Sequence, residues 1–247
     1  MRAAPLLWPL TITASSRAEE LLISAAASLT DIMKDIGRRY EKQSDNRILS
    51  NFGASSLLAR QIEQGMPADL FVSANEAQMD RLEKAGAIEK GTRIGLLTNK
   101  LVIVARRDSP IKIDTARDLA KPTVSRIVIA DPQSVPAGIH ARQFLTSAGI
   151  WERVQGTIVP TENVRADLAV VEAGNAEVGI VYATDASVVR DVHIMLTVPE
   201  ELSPKITYPA ALVANSANAQ ATRRFLAFLN SNEAAEIFQN AGFGVVK

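Results

Sequence analysis

The chain has no cysteine among its 247 residues, and that absence removes disulfides, thiolate catalysis, cysteine-ligated metals and lipoprotein attachment together. Histidine is almost as scarce. His140 and His193 are the only two; neither stands in a metal-like spacing or a triad context, and His140 reads as an exposed residue of a helix. Ser28 and Ser55 lie outside any Gly-x-Ser-x-Gly elbow, so a serine nucleophile has no base. Asp31, Asp69 and Asp131 form no group that stands apart as an acid/base pair, and Asp31 is accounted for by the negative-preferring first turn of a helix. A glycine-rich phosphate loop is missing. Aromatic residues make up 5% of the chain, and Lys+Arg and Asp+Glu both total 27. No segment interleaves basic residues with aromatics, so nucleic acid is not an expected partner. Neither enzymatic activity nor a cofactor is expected.

What is present is apolar and regularly patterned. Hydrophobic residues reach 47%, enough for a substantial core in one large or two modest domains. Residues 1–18 read as an export segment: Arg2 is a minimal positive start, 3–14 are mostly apolar although Pro5 and Pro9 interrupt them, and Ser16-Arg17-Ala18 offers small residues for cleavage. Beyond it no stretch approaches the ~18 apolar residues of a membrane span. Losing Arg2 and Arg17 leaves 25 basic residues against 27 acids. An anion would therefore have to be held by local dipoles, since the overall field does not attract it.

From Glu20 onward strand-like and helical patterns alternate. Leu29, Ile32, Met33, Ile36 and Tyr40 recur at helical spacing after Leu21-Leu22-Ile23, and the period then resets for a strand over 48–52. A second series follows a long extended run over 94–104. It comprises a strand over 126–130, a helix after Pro136, a strand over 157–159, a helix over 164–172 and a strand over 178–182, with a further extended run near 208–214 and two final helices over 219–229 and 233–240. This alternation predicts parallel sheets covered by helices, an α/β class. Two lobes are expected, lobe I from 19–98 plus 212–247 and lobe II from 99–211, joined by the two long extended runs.

Two short serine motifs sit where a strand gives way to a helix, Ala25-Ala-Ala-Ser28-Leu-Thr-Asp31 and Phe52-Gly-Ala-Ser55-Ser-Leu-Leu-Ala-Arg-Gln-Ile62. Ser28 and Ser55 are placed to cap helices whose free N–H groups and positive dipole ends form an anion site; either serine alone is adequately explained as a simple cap. Asp131-Pro-Gln-Ser-Val-Pro-Ala137-Gly138 leads into a helix with Pro136 in its first turn, which leaves the Ala137 N–H free. Thr161-Glu-Asn-Val164-Arg165 opens another helix and offers the Val164 N–H, with Arg165 on a solvated face as the plain reading. Gly179-Ile-Val-Tyr182 ends a strand, where the phenol either donates to a ligand or satisfies a buried carbonyl.

With these motifs, and with Met66-Pro-Ala-Asp-Leu-Phe-Val-Ser-Ala74 and the Ala-Ala-Glu-Ile-Phe near the end, the chain from about Glu20 onward resembles the periplasmic molybdate-binding proteins of ABC uptake systems, the ModA family. The resemblance implies a type II periplasmic-binding-protein fold whose two lobes close on molybdate or tungstate. It places the ligand contacts at Ser28 and Ser55 through hydroxyl and N–H, at Ala137 and Val164 through N–H, and at Tyr182 through its phenol, with no protein ligand to the metal itself. It also implies a periplasmic monomer that serves an inner-membrane permease. One departure is the sequence Gly53-Ala54-Ser55-Ser56, where some members carry three serines in a row. The other expectations on such a scaffold are a receptor for sulfate or phosphate, a hydroxymethylbilane synthase, which needs the missing cysteine, and the sensing half of a transcription regulator, for which no helix-turn-helix precedes the scaffold.

Overall fold

Short apolar strands pass repeatedly into helices with one apolar stripe, and the result is two α/β layers sharing a cleft. The computed structural model describes residues 18–246, so the expected export segment lies outside the described residues except for Ala18. The chain begins with β1 (Glu20–Ala26), α1 (Thr30–Gln43), β2 (Arg47–Gly53), α2 (Ser55–Glu63), β3 (Leu70–Val72), α3 (Glu76–Lys84) and β4 (Ile94–Asn99). It continues with β5 (Leu101–Arg106), β6 (Ile127–Ala130), α4 (Pro136–Ser147), α5 (Trp151–Val154), β7 (Ile158–Thr161), α6 (Val164–Glu172), β8 (Val178–Tyr182), α7 (Ala183–Ala186) and β9 (Val192–Thr197). It closes with β10 (Ile206–Leu212), α8 (Ala219–Leu229), α9 (Asn232–Asn240) and β11 (Gly244–Val245).

One sheet has the order β11-β4-β10-β3-β1-β2 and the other β7-β6-β8-β5-β9. β1 runs parallel to β2 and β3, and β6 runs parallel to β7 and β8. The loops after β1, β2, β6 and β8 consequently leave their sheets at carboxyl ends, where ligands bind in open α/β folds. The extended run over 94–104 is two strands in different sheets, broken at Lys100. β10 pairs antiparallel with both β3 and β4, so the second passage between the lobes is made by residues 198–205. The chain returns to the first lobe before Ile206 rather than at 212, because the ladder to β4 already begins at the pair Ile206 and Asn99.

Packing follows the stripes. Met33, Ile36 and Tyr40 of α1 are buried, and the Tyr40 ring meets Phe225 of α8 edge-on at 4.9 Å. In the second lobe, Leu101 to Ala105 of β5 are all fully buried, as expected for a strand flanked by neighbours and covered on both faces. α4 begins hard against β6: a Cβ at Gly138 would stand 1.9 Å from the Ala130 carbonyl oxygen. Only glycine permits the approach that brings the start of this helix to the cleft.

Candidate functional site

A small cavity of about 20 Å³ is lined by residues of both lobes. Ser28, Ser55, Ala137, Val164 and Tyr182 all line it, together with the backbone-rich stretches Ala26–Ala27, Gly53–Ala54, Ala74, Val135–Pro136 and Asn163. No Asp, Glu, Lys or Arg is among the lining residues. Ser28, Ser55, Ala137, Val164 and Tyr182 are each at most 4% exposed, so all five are buried at the meeting of the lobes.

Three helix starts converge here. Ser55 is the first residue of α2, Ala137 the second of α4 and Val164 the first of α6. Early N–H groups of a helix have no intrahelical acceptor, and the dipoles add positive potential at each start. The Asn163 side chain caps α6 by accepting from Arg165 N at 2.9 Å and Ala166 N at 3.2 Å, which leaves the Val164 N–H as the free donor. Pro136 takes the position in α4 where an N–H would be wasted.

The serines do not cap. Ser28 sits inside a short 3-10 turn, Ala27–Leu29, ahead of α1, and Ala54 precedes α2 with no side-chain cap. Both hydroxyls are engaged from behind instead. Ser55 Oγ accepts from Ala74 N at 2.9 Å, so the serine's own hydrogen is free to donate into the cavity. Ser28 Oγ lies 3.0 Å from Tyr208 Oη, and Asn99 Nδ2 donates to that phenol at 3.1 Å and to Thr184 Oγ1 at 2.9 Å. The Asn99 amide has one orientation because its Oδ1 accepts from Lys100 N at 2.8 Å. Tyr208 accepts from Asn99, which leaves its single hydrogen available to Ser28; given there, it leaves the Ser28 hydrogen to face the cavity. Burial pushes the Tyr208 and Tyr182 phenols above their usual range, so both are neutral donors.

Tyr182 bonds no carbonyl. Its hydroxyl is 3.1 Å from Nδ1 of His140, which is buried and not exposed as its sequence position suggested. Spacing explains the difference: His140 shares the inner stripe of α4 with Ala137, Ala141 and Phe144, all buried. Burial lowers its pKa to about 4, so the ring is neutral at pH 7. Arg165, whose plain reading was a solvated face, bridges the lobes. Its Nη2 lies 2.8 Å from Asp31 of α1 and its Nε 2.5 Å from the fully buried Asp185 of α7. The second contact is close but off-axis for a hydrogen bond, and burial raises Asp185 to about 7 against the pull of Arg165.

A family model described as bacterial extracellular solute-binding protein matches residues 21–244. The molybdate-binding protein ModA of Escherichia coli is 40% identical over 230 residues, covering 92% of this chain and 89% of that protein. The chain belongs to the ModA family. Like its relatives it is a solute-binding protein and not an enzyme. The periplasmic molybdate-binding protein of Azotobacter vinelandii shares the ModA fold at a TM-score of 0.83 with 21% identity, covering 92% of this chain and all of that one. The sulfate-binding protein SubI of Mycobacterium tuberculosis also shares it, at a TM-score of 0.78 and 21% identity over 94% of this chain and 88% of that one. The fold alone therefore does not choose between oxyanions; the lining residues of this ModA-family chain have to. The roles of Asn99, Tyr208, Ala74 and His140 behind those residues are absent from the motif reading, because each acts between separate motifs, across 19 residues from Ser55 to Ala74 and 180 from Ser28 to Tyr208.

Proposed function

We propose that the protein captures molybdate in this cavity, takes tungstate as an ion of the same shape and charge, and hands the ion to an ABC permease of the inner membrane while working as a periplasmic monomer. Ser28 and Ser55 contribute hydroxyl and N–H donors, Ala137 and Val164 their N–H groups, and Tyr182 its phenol. The observation that carries this reading is the lining itself: neutral donors at three helix starts, without a carboxylate or any charged side chain. A fully deprotonated dianion accepts at every oxygen and matches such a lining. Monohydrogen phosphate must donate one proton, and the Asn163 oxygen, the one side-chain amide acceptor in the lining, is occupied by two N–H groups. Sulfate also accepts only, and it differs by its shorter bonds to oxygen.

Titration calorimetry with molybdate, tungstate, sulfate and phosphate tests the reading. Tight binding of the first two and weak or no binding of the others is expected, and Ser28→Ala should weaken molybdate binding by about ten- to a hundredfold, the worth of a donor to a charged acceptor. Sulfate binding as tight as molybdate, or an unaltered affinity in Ser28→Ala, would overturn it.

A further inference from the structure

Each hydroxyl in the cavity has one hydrogen to give, and whether the ligand receives it depends on what stands behind the oxygen. Ser55 is supplied by the Ala74 N–H, and Ser28 is paired with Tyr208, which has a hydrogen to give it. For Tyr182 the partner is a ring nitrogen that either donates or accepts according to its tautomer. If Nδ1 accepts, the phenol's hydrogen is spent on His140 and nothing remains for the ion.

We propose that His140 is a positioning residue for oxyanion binding: with the ion bound it presents Nδ1–H to Tyr182 Oη, which commits the phenol's only hydrogen to the ligand. The inference rests on the reading of Tyr182 as a donor to the ion. Geometry supplies the rest. His140 stands on α4, three residues after the Ala137 N–H, so the same helix carries both a direct donor and the group that orients a second one. The two rings are held with centroids 6.1 Å apart, and Tyr182 packs in turn on Tyr208 at 6.1 Å, so the phenol has little freedom to turn away. His140 also lines a separate groove with Asn75, Glu76, Gln143, Lys205 and Thr207. With this arrangement every cavity hydroxyl is backed by a donor, and the site rejects a ligand that has a proton of its own to place.

The test combines substitution with a direct view of the tautomer, using molybdate as the probe. His140→Phe should weaken molybdate binding by about three- to tenfold, the effect of losing one neutral hydrogen bond. His140→Asn, whose amide N–H reaches the position of Nδ1–H, should recover most of that loss. In a Tyr182→Phe background, His140→Phe should have no further effect on affinity. With two histidines in the chain, nitrogen NMR of the unaltered protein resolves His140, and saturation with molybdate should show Nδ1 protonated and Nε2 bare. Equal losses from His140→Phe in both backgrounds, or a bare Nδ1 in the molybdate complex, would overturn the inference while leaving the site intact. An unaltered affinity in Tyr182→Phe alone would overturn the donor role of Tyr182 and this inference with it.

Discussion

Ser55 holds two jobs that a single substitution exposes together. Its oxygen satisfies the buried Ala74 N–H and leaves its hydrogen for the cavity, so Ser55→Ala leaves a buried donor unpaired as well as removing the proposed ligand contact. Unfolding of the ligand-free variant by denaturant should show a loss of about 1–3 kcal/mol, and calorimetry a separate fall in molybdate affinity of about ten- to a hundredfold. Unchanged ligand-free stability would mean that Ala74 N–H finds another acceptor. A second residue effect concerns pH. Asp167 is fully buried, accepts from Thr161 Oγ1 at 2.6 Å, and burial raises its pKa to about 7. Because the folded value lies above the unfolded one, the stability this carboxyl contributes is complete below the ordinary carboxylate range and is lost as pH rises through about 7. Asp167→Asn should therefore melt with the parent near pH 4 and above it at pH 8, by about 2–4 °C for each kcal/mol relieved. A gap that does not widen with pH would rule out ionisation of Asp167 as its source.

At the level of elements, α6 links a cap to a proposed ligand contact. Asn163 holds the second and third N–H groups and so directs the first, on Val164, at the cavity. Asn163→Asp keeps the cap, since both residues are good N-caps, but sets a negative charge against the ion. Its thermal stability should match the parent within about half a kcal/mol while molybdate affinity drops at least tenfold; retained affinity would place the ion away from this helix start. The helices and strands of this kind were readable beforehand. The pattern gave 164–172, 178–182 and 219–229 with the observed bounds, because a clear stripe or a short apolar run ends at Ala-Gly, Tyr-Ala or Leu-Asn. β9 was not readable. Val192 to Thr197 is an edge strand in which only Val192 is fully buried, so it lacks the continuous apolar run of its neighbours. The break at Lys100 was hidden for the opposite reason, since neither glycine nor proline marks it. Ser55, Ala137 and Val164 are legible as helix starts and Tyr182 as a strand end, which are local signals, and the cavity brings them together with Ser28. The groups behind them are not legible, because a hydrogen bond from β10 or β4 leaves no trace in the motif it serves.

Across the whole molecule, closure is held by a small number of contacts that span the cleft: Arg165 to Asp31, Asn99 to Thr184, and the Tyr182 ring on Tyr208. Arg165 follows Val164 and Asp31 lies three residues after Ser28, so the ion pair lies beside the donors it brings together. Asp31 is 56% exposed, and solvent screening limits such a pair to about 0–1 kcal/mol. Asp31→Asn should therefore raise the molybdate dissociation rate by no more than about fivefold, with the association rate unaltered and the difference fading at high salt; stopped-flow measurements check this, and an effect that persists in 1 M salt would point to packing instead. The same two-lobe arrangement also orders events in time. The second sheet is drawn from one uninterrupted run, 101–197, whereas the first needs β10 inserted between β3 and β4 and waits for residues near both ends of the described chain. Contacts between distant parts of a chain form slowly, so refolding should show an early phase from the second lobe and a later one from the first. Recovery of molybdate binding then belongs to the later phase, because the hydrogen on Ser28 has no fixed direction until Tyr208 arrives, and the cavity is the last part of the molecule to come into being.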